Sequence, residues 1–119
     1  MRFNINIEKL ATEDPFKLLE GNENVHSANG KYMAVIERVV EDYLSSNNYK
    51  KAGMETCAQG LTTLYSKNRE ILGFGRHFNP DNTGKMEIVS NSKDTLNAIS
   101  NHLSERIDKK IESYAEIKE

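Results

Sequence analysis

The sequence predicts an α+β fold, an antiparallel β-meander packed by a central helix and a long C-terminal helix. Three observations carry that expectation. Phe3, Ile5 and Ile7 alternate with Arg2, Asn4, Asn6 and Glu8, the period-2 pattern of a half-buried strand. Between residues 31 and 45 the apolar period changes to 3.6, the mark of an amphipathic helix. Residues 71–78 and 85–89 flank Asn79-Pro80-Asp81-Asn82-Thr83-Gly84, a run of turn-forming residues between two strand-like runs. At 119 residues the chain makes one domain spanning 1–119.

Each element follows from local chemistry. After the first strand, expected to join a sheet edge, Asp14 and Pro15 resemble a helix start. Asp14 offers a capping carboxylate, and Pro15 has no N–H to leave unpaired. Phe16, Leu18 and Leu19 give that helix a short apolar face, and Gly21 ends it. The polar stretch 21–30 reads as a loop. In the helix over 31–45, Tyr32, Met33, Ile36, Val39, Val40, Tyr43 and Leu44 share one face, opposite Lys31, Glu37, Arg38, Glu41 and Asp42.

Residues 49–70 carry two readings. A helical face can be drawn through Tyr49, Ala52, Thr56, Cys57, Gly60, Leu61 and Leu64. Gly53 and Gly60 would each cost such a helix about 1 kcal/mol relative to Ala. The run Thr62-Thr63-Leu64-Tyr65 is rich in strand formers, so strands at 54–58 and 61–66 are favoured. In the following hairpin Leu72, Phe74 and Phe78 lie on one side, and Met86 and Ile88 point inward. The last quarter reads as one long helix. Ser92 caps it, and Leu96, Ile99, Leu103, Ile107, Ile111, Tyr114 and Ile117 recur at spacings of three and four.

Charge narrows the function classes. Sixteen Lys and Arg stand against eighteen Asp and Glu, leaving a formal charge of −2 and no basic excess for phosphates, so no nucleic-acid partner is expected. No apolar run approaches the roughly 20 residues of a membrane span, so no membrane association is expected. The first eight residues lack the apolar block of a signal peptide. A single cysteine, Cys57, excludes an intramolecular disulfide and fits a reducing compartment. The expected location is cytoplasmic, in a bacterial cytosol or in a host cytosol for a secreted effector. Thirteen Asn, eleven Lys and nine Ile against five Arg point to a gene from an AT-rich, bacterial genome.

Catalytic chemistry has few candidates. Cys57 with His26, His77 or His102 is the one nucleophile-and-base combination, but Thr56-Cys57-Ala58 is generic and a lone cysteine is more often a small apolar residue. Three histidines without paired ligand spacing do not make a zinc site. Asn79, Asp81 and Thr83 imitate a calcium loop, yet Ser90 stands where a bidentate Glu belongs. Gly73-Phe74-Gly75 lacks the third glycine and the following helix of a dinucleotide fingerprint. No metal, no cofactor and no catalytic residue are therefore expected.

The feature that most invites a function is the C-terminal stripe. As one helix, residues 92–119 would span or overhang a domain of this size: either all seven apolar residues lie on the domain's own sheet, or the distal half, Ile107 to Ile117, contacts a second copy or a different protein, with Ile107, Ile111 and Tyr114 as its anchors. Like-charge neighbours at i,i+4 beside it (Arg106/Lys110, Asp108/Glu112, Glu112/Glu116) are pairs that partner charges would relieve. Arg76 and His77, on the strand with Gly73 and Gly75, are the second candidate contacts.

As a whole chain, and in stretches such as 71–78 and 92–119, the sequence resembles the small regulators among Legionella effectors that bind and inhibit ubiquitin deamidases. The resemblance implies a non-catalytic protein that acts by occluding or distorting an enzyme. Together these readings predict a non-enzymatic, protein-binding regulator, an inhibitor of a partner enzyme and a homodimer through its C-terminal helix. The alternatives are a small-ligand sensor or Cys/His-dependent enzyme built on Cys57 and His77, and a structural dimerisation module.

Overall fold

Alternation at Phe3 and Ile5 does produce a strand, β1 (Arg2–Ile5), but the chain turns into a helix two residues later. The computed structural model describes residues 1–13, 25–57, 60–79, 84–107 and 111–118, without the side chains of 25–28 and 57. Helix α1 (Ile7–Glu13) begins where Asn6 Oδ1 accepts the backbone N–H of Lys9 at 3.1 Å, a side-chain N-cap. Ile7 therefore belongs to a helix, buried beside Leu10 and Ala11, where the sequence reading put it in the strand. The helix start expected at Asp14–Pro15, with Phe16, Leu18 and Leu19, lies outside the described residues.

Helix α2 (Val25–Ser46) contains the predicted 31–45 segment and starts six residues earlier, within the expected loop. Gly30 and Asn29 are poor helix formers. Fully buried Asn29, Tyr32 and Met33 tie this turn to the core, and tertiary burial overrides propensity. The helix ends as Asn48 takes a left-handed φ of 66°, which brings Tyr49 N–H to the Leu44 carbonyl at 2.9 Å.

Four strands follow as a meander: β2 (Lys50–Cys57), β3 (Gly60–Lys67), β4 (Glu70–Phe78) and β5 (Gly84–Val89). The strand reading of 49–66 holds, as does the hairpin. The glycines are what a helix would not tolerate, and Gly53 sits at a β-bulge against β3. Gly84, where β5 starts, meets α2 so closely that an added Cβ would lie 2.7 Å from Met33 Sδ. All pairings are antiparallel, and the sheet order is β2-β3-β4-β5-β1-β6. β1 is thus an inner strand between β5 and β6, not an edge strand. The fold is α+β, with a six-stranded antiparallel sheet.

The C-terminal helix is where expectation and structure part. α3 (Lys93–Ile107) starts as predicted, with Ser92 Oγ accepting the Thr95 N–H at 3.2 Å, and Leu96, Ile99 and Leu103 face the core. It stops at Ile107. A single 3-10 turn, α4 (Ile111–Ser113), follows, and the chain ends in strand β6 (Ala115–Lys118) against β1. Ser104 holds the return: its Oγ accepts the Ile111 N–H at 3.1 Å and donates to Glu112 at 3.3 Å. Ile111 is 0% exposed, in the core, and Ile107, Tyr114 and Ile117 pack partly buried against it. The continuous stripe was misleading because a spacing of three also fits a turn that seats Ile111 followed by an alternating strand, Ala115 and Ile117 in, Glu116 and Lys118 out. β6 takes the edge hydrogen bonds that β1 would otherwise leave open. Among the described residues of this segment, Ile107 and 111–117, no exposed helical face is left to dimerise.

With Ile111 a core residue, Ile111→Ala should cost about 2–5 kcal/mol in chemical denaturation, as a cavity in a packed site does. The sedimentation behaviour of the folded variant should not change.

Candidate functional site

Pairing register sorts the sheet into two faces. One row crosses all six strands as Met54–Thr63–Phe74–Ile88–Phe3–Ile117, and its inner members lie in the core beneath the helices. The neighbouring row in register, Glu55–Thr62–Gly75–Glu87–Asn4–Glu116, points the other way. It carries three carboxylates and no cation. The next row on that side is Gly53–Leu64–Gly73–Val89–Arg2–Lys118, and beyond the acidic row lies Cys57–Gly60–His77–Lys85. None of the described helices covers this face.

A trough of about 1200 Å³ runs along it. Gly75 leaves its floor without a side chain between two strands, and an added Cβ there would stand 3.4 Å from Glu87 Cγ and 3.5 Å from Thr62 Oγ1. Glu8 and Lys9 of α1, with Tyr114, form one end, and His77 and Lys85 line another side. Lys9 Nζ sits 5.8 Å from the centre of the Tyr114 ring. Two carboxylates of the acidic row have partners on the same face: Glu87 with Arg2 at 3.6 Å and Glu116 with Lys118 at 3.1 Å. Above the trough Ile71, 64% exposed, and Val89 stand beside half-buried Leu64 around Gly73, which has no side chain to fill the space between them. This apolar group had no sequence signal beyond the glycines, because it becomes contiguous only through the β3–β4–β5 register.

Of the predicted contact residues, His77 alone is exposed on this face. Arg76, its neighbour, points to the opposite side and is 3% exposed. There its Nη1 meets Glu37 and Glu41 of α2, each at 3.2 Å, and Nη2 donates to Thr63 Oγ1. The guanidinium lies 4.5 Å from the Phe74 ring centre. Arg76 is thus a clamp between sheet and helix, not an external contact. A buried cation persists only with such compensation, and the i,i+4 spacing of Glu37 and Glu41 on α2 supplies it. Beside the clamp, Tyr65 Oη is buried with no hydrogen-bond partner among the described residues, as is Arg76 Nε. Burial, followed by the nearby Glu41 charge, pushes the Tyr65 hydroxyl above its usual pKa.

The histidines do not converge. His102 of α3 stacks on Tyr43 at 5.1 Å between ring centres, on the helix side, while His77 faces the trough. The side chains of His26 and Cys57 lie outside the described residues, as do positions 80–83 of the calcium-like loop. Among the described residues no three His, Cys, Asp or Glu side chains gather where a metal ion could be held. No described helix is long and apolar enough to cross a membrane. No family model, curated protein or solved structure matches the chain.

The clamp gives an asymmetric prediction. Glu37→Gln with Glu41→Gln leaves Arg76 buried without a counter-charge and should cost about 3–5 kcal/mol, whereas Arg76→Met leaves two half-exposed carboxylates that water can solvate and should cost less. Tyr65→Phe removes only an unpartnered hydroxyl and should be neutral or stabilising. Because the folded Tyr65 holds its proton above the pH at which the unfolded one ionises, its contribution is intact below about pH 10 and is lost as pH rises beyond it. Alkaline urea titrations should show a shallower loss of stability in Tyr65→Phe than in the parent.

Proposed function

We propose that this protein is a non-enzymatic, protein-binding regulator that meets its partner with the face of the sheet that no described helix covers, the helix-free face. The observation that supports the reading most directly is the group Leu64, Ile71 and Val89 around Gly73, presented on a face that no described helix covers. Single exposed apolar residues are ordinary on a protein surface, whereas neighbouring ones beside a polar trough resemble the centre and rim of an interface. The face spans about 24 Å between its outer strands at the usual inter-strand spacing, the scale of a standard interface patch. The side chains first expected to bind, Ile107, Ile111 and Tyr114, are replaced in this role by Leu64, Ile71 and Val89, with His77 retained at the margin. Inhibition follows if the face covers a partner enzyme's substrate site. A ubiquitin deamidase is one such enzyme to assay, given the resemblance noted above.

The edge of β2 is a weaker docking element. Lys50, Lys51 and the bulge at Gly53 are the devices that discourage strand addition.

A second reading, a ligand sensor or thiol-dependent enzyme, draws support from the row that sets Cys57 and His77 in register on either side of Gly60, about 10 Å apart across two strand spacings. In that reading Cys57→Ala and His77→Ala each abolish ligand binding or turnover. In the first reading both variants still capture the partner.

Affinity capture from lysate of the source organism, with partners read by mass spectrometry, tests the main reading. The parent and an Asn97→Asp/Asn101→Asp variant on the exposed side of α3 should retain the same stoichiometric partner. Ile71→Asp/Val89→Asp, at exposed positions that leave the core intact, should lose it. Equal retention by all three removes the helix-free face as the binding surface.

A further inference from the structure

We infer that the occupant of the trough is a cationic amphipathic helix of the partner, laid across the strands along the row Glu55–Thr62–Gly75–Glu87–Asn4–Glu116. The inference rests on the reading of this face as the binding surface and adds what the partner must present to it.

The first support is charge. The row crosses six strands and bears Glu55, Glu87 and Glu116 but no Lys or Arg, and Glu8 adds a fourth carboxylate to the trough lining against Lys9 and Lys85. Arg76 lines the trough through its backbone strand, but its guanidinium is committed to Glu37 and Glu41 on the opposite side. Glu87 and Glu116 have Arg2 and Lys118 as neighbours, yet those pairs are exposed, and exposed pairs give way readily to a partner's cation. Glu116 and Lys118 are also adjacent on the same side of a four-residue edge strand, a geometry that costs little to rearrange.

The second support is the backbone. The face of a sheet presents side chains, while its N–H and C=O groups are already paired between strands. A segment lying across six strands gains no main-chain hydrogen bonds there and must satisfy its own, which a helix does and an extended peptide does not. Gly75 adds no side chain beneath such a helix, which would rest on Thr62 and Glu87 to either side.

The third support is spacing. Glu55 and Glu87 stand three strands apart, about 14 Å, and Glu87 and Glu116 two strands apart, about 10 Å. At 1.5 Å per residue these separations equal about nine and about seven helical residues; the nearest spacings that keep side chains on one side of a helix are about eleven and about seven, three turns and two, so one helix of about nineteen residues reaches all three carboxylates with long side chains. The adjoining row supplies Leu64 and Val89 over β3–β5, with Ile71 beyond it, and Arg2 and Lys118 over β1 and β6, so the helix must be apolar along that flank where it crosses β3–β5 and basic along the side that meets the carboxylates. A second copy of this chain is a poorer occupant: among the described residues the one helix of that length, α2, already uses its apolar side against its own core.

Fluorescence anisotropy with two labelled peptides tests this. One is a helical peptide of about nineteen residues with lysines about eleven and about seven residues apart and leucines along the adjoining flank, and the other has glutamines for the lysines. The full-length protein should bind the lysine peptide at least about tenfold tighter than the glutamine peptide at low salt, with the preference falling as salt rises. Glu55→Gln/Glu87→Gln/Glu116→Gln should erase that preference. Asp42→Asn/Asp94→Asn/Glu105→Gln, which removes the same charge from exposed positions on the helices, should keep it. Equal binding of the two peptides overturns the cationic partner while leaving the apolar face as a docking surface. Equal loss in the two triple variants also overturns it, by reducing the effect to net charge. Failure of both peptides to bind the parent overturns it too, and the Ile71/Val89 capture result then decides the broader reading separately.

Discussion

The antiparallel register that sets Phe74, Ile88 and Phe3 side by side is the constraint on which the rest of the molecule depends. Side chains alternate strictly across a pleated strand, so once these three lie beneath the helices, Gly75, Glu87 and Asn4 must face away. A slip of one residue in β5 would place Glu87 in the core and Ile88 in the trough. Nothing in the acidic row is therefore independent of the core row. The binding surface is the reverse side of the same register, and residues that never touch a partner position those that do.

One position breaks the division. Arg76 falls, by parity, on the apolar side, and a buried guanidinium requires counter-charges. Glu37 and Glu41 of α2 provide them, so an arginine that a sequence alone would assign to the surface becomes the polar tie between helix and sheet. Thr63 completes the tie from β3, and the Phe74 ring lies against it. A second polar tie sits at the top of the sheet, where Glu70 accepts from Tyr49 Oη at 2.9 Å and Ser90 Oγ at 3.2 Å. It joins the end of the α2 connection, β4 and the approach to α3, and burial raises the Tyr49 hydroxyl above its usual pKa.

Much of the fold was legible in the sequence. The hairpin of β4 and β5, the Ser92 cap, the apolar side of α2 and the strand character of 61–66 rest on local chemistry, namely turn residues, capping oxygens and periodicity. The sequence misled where two periods coincide. Ile7 continues the alternation of Phe3 and Ile5 yet opens a helix, because Asn6 caps it. Ile111, Tyr114 and Ile117 continue the spacing of α3, yet fill a turn and a strand. Both misreadings concern residues whose fate is set by a distant partner: Asn6 N–H donates to the Tyr114 carbonyl at 2.7 Å, and β6 pairs with β1 across nearly the whole length of the chain. The candidate face was legible only as two glycines in one strand. The carboxylates of its acidic row come from three strands, β2, β5 and β6, and its apolar group from β3, β4 and β5, and neither is a pattern along the chain.

Site-specific photo-cross-linking tests the claim that the helix-free face is the binding surface most directly. A photoreactive side chain placed at Thr62, on the trough floor, and in a separate protein at Asn97, on the exposed side of α3, is irradiated in the presence of the captured partner. The account predicts a covalent adduct from position 62 and none from position 97. An adduct from position 97 alone would contradict it and move the binding surface to the helical layer.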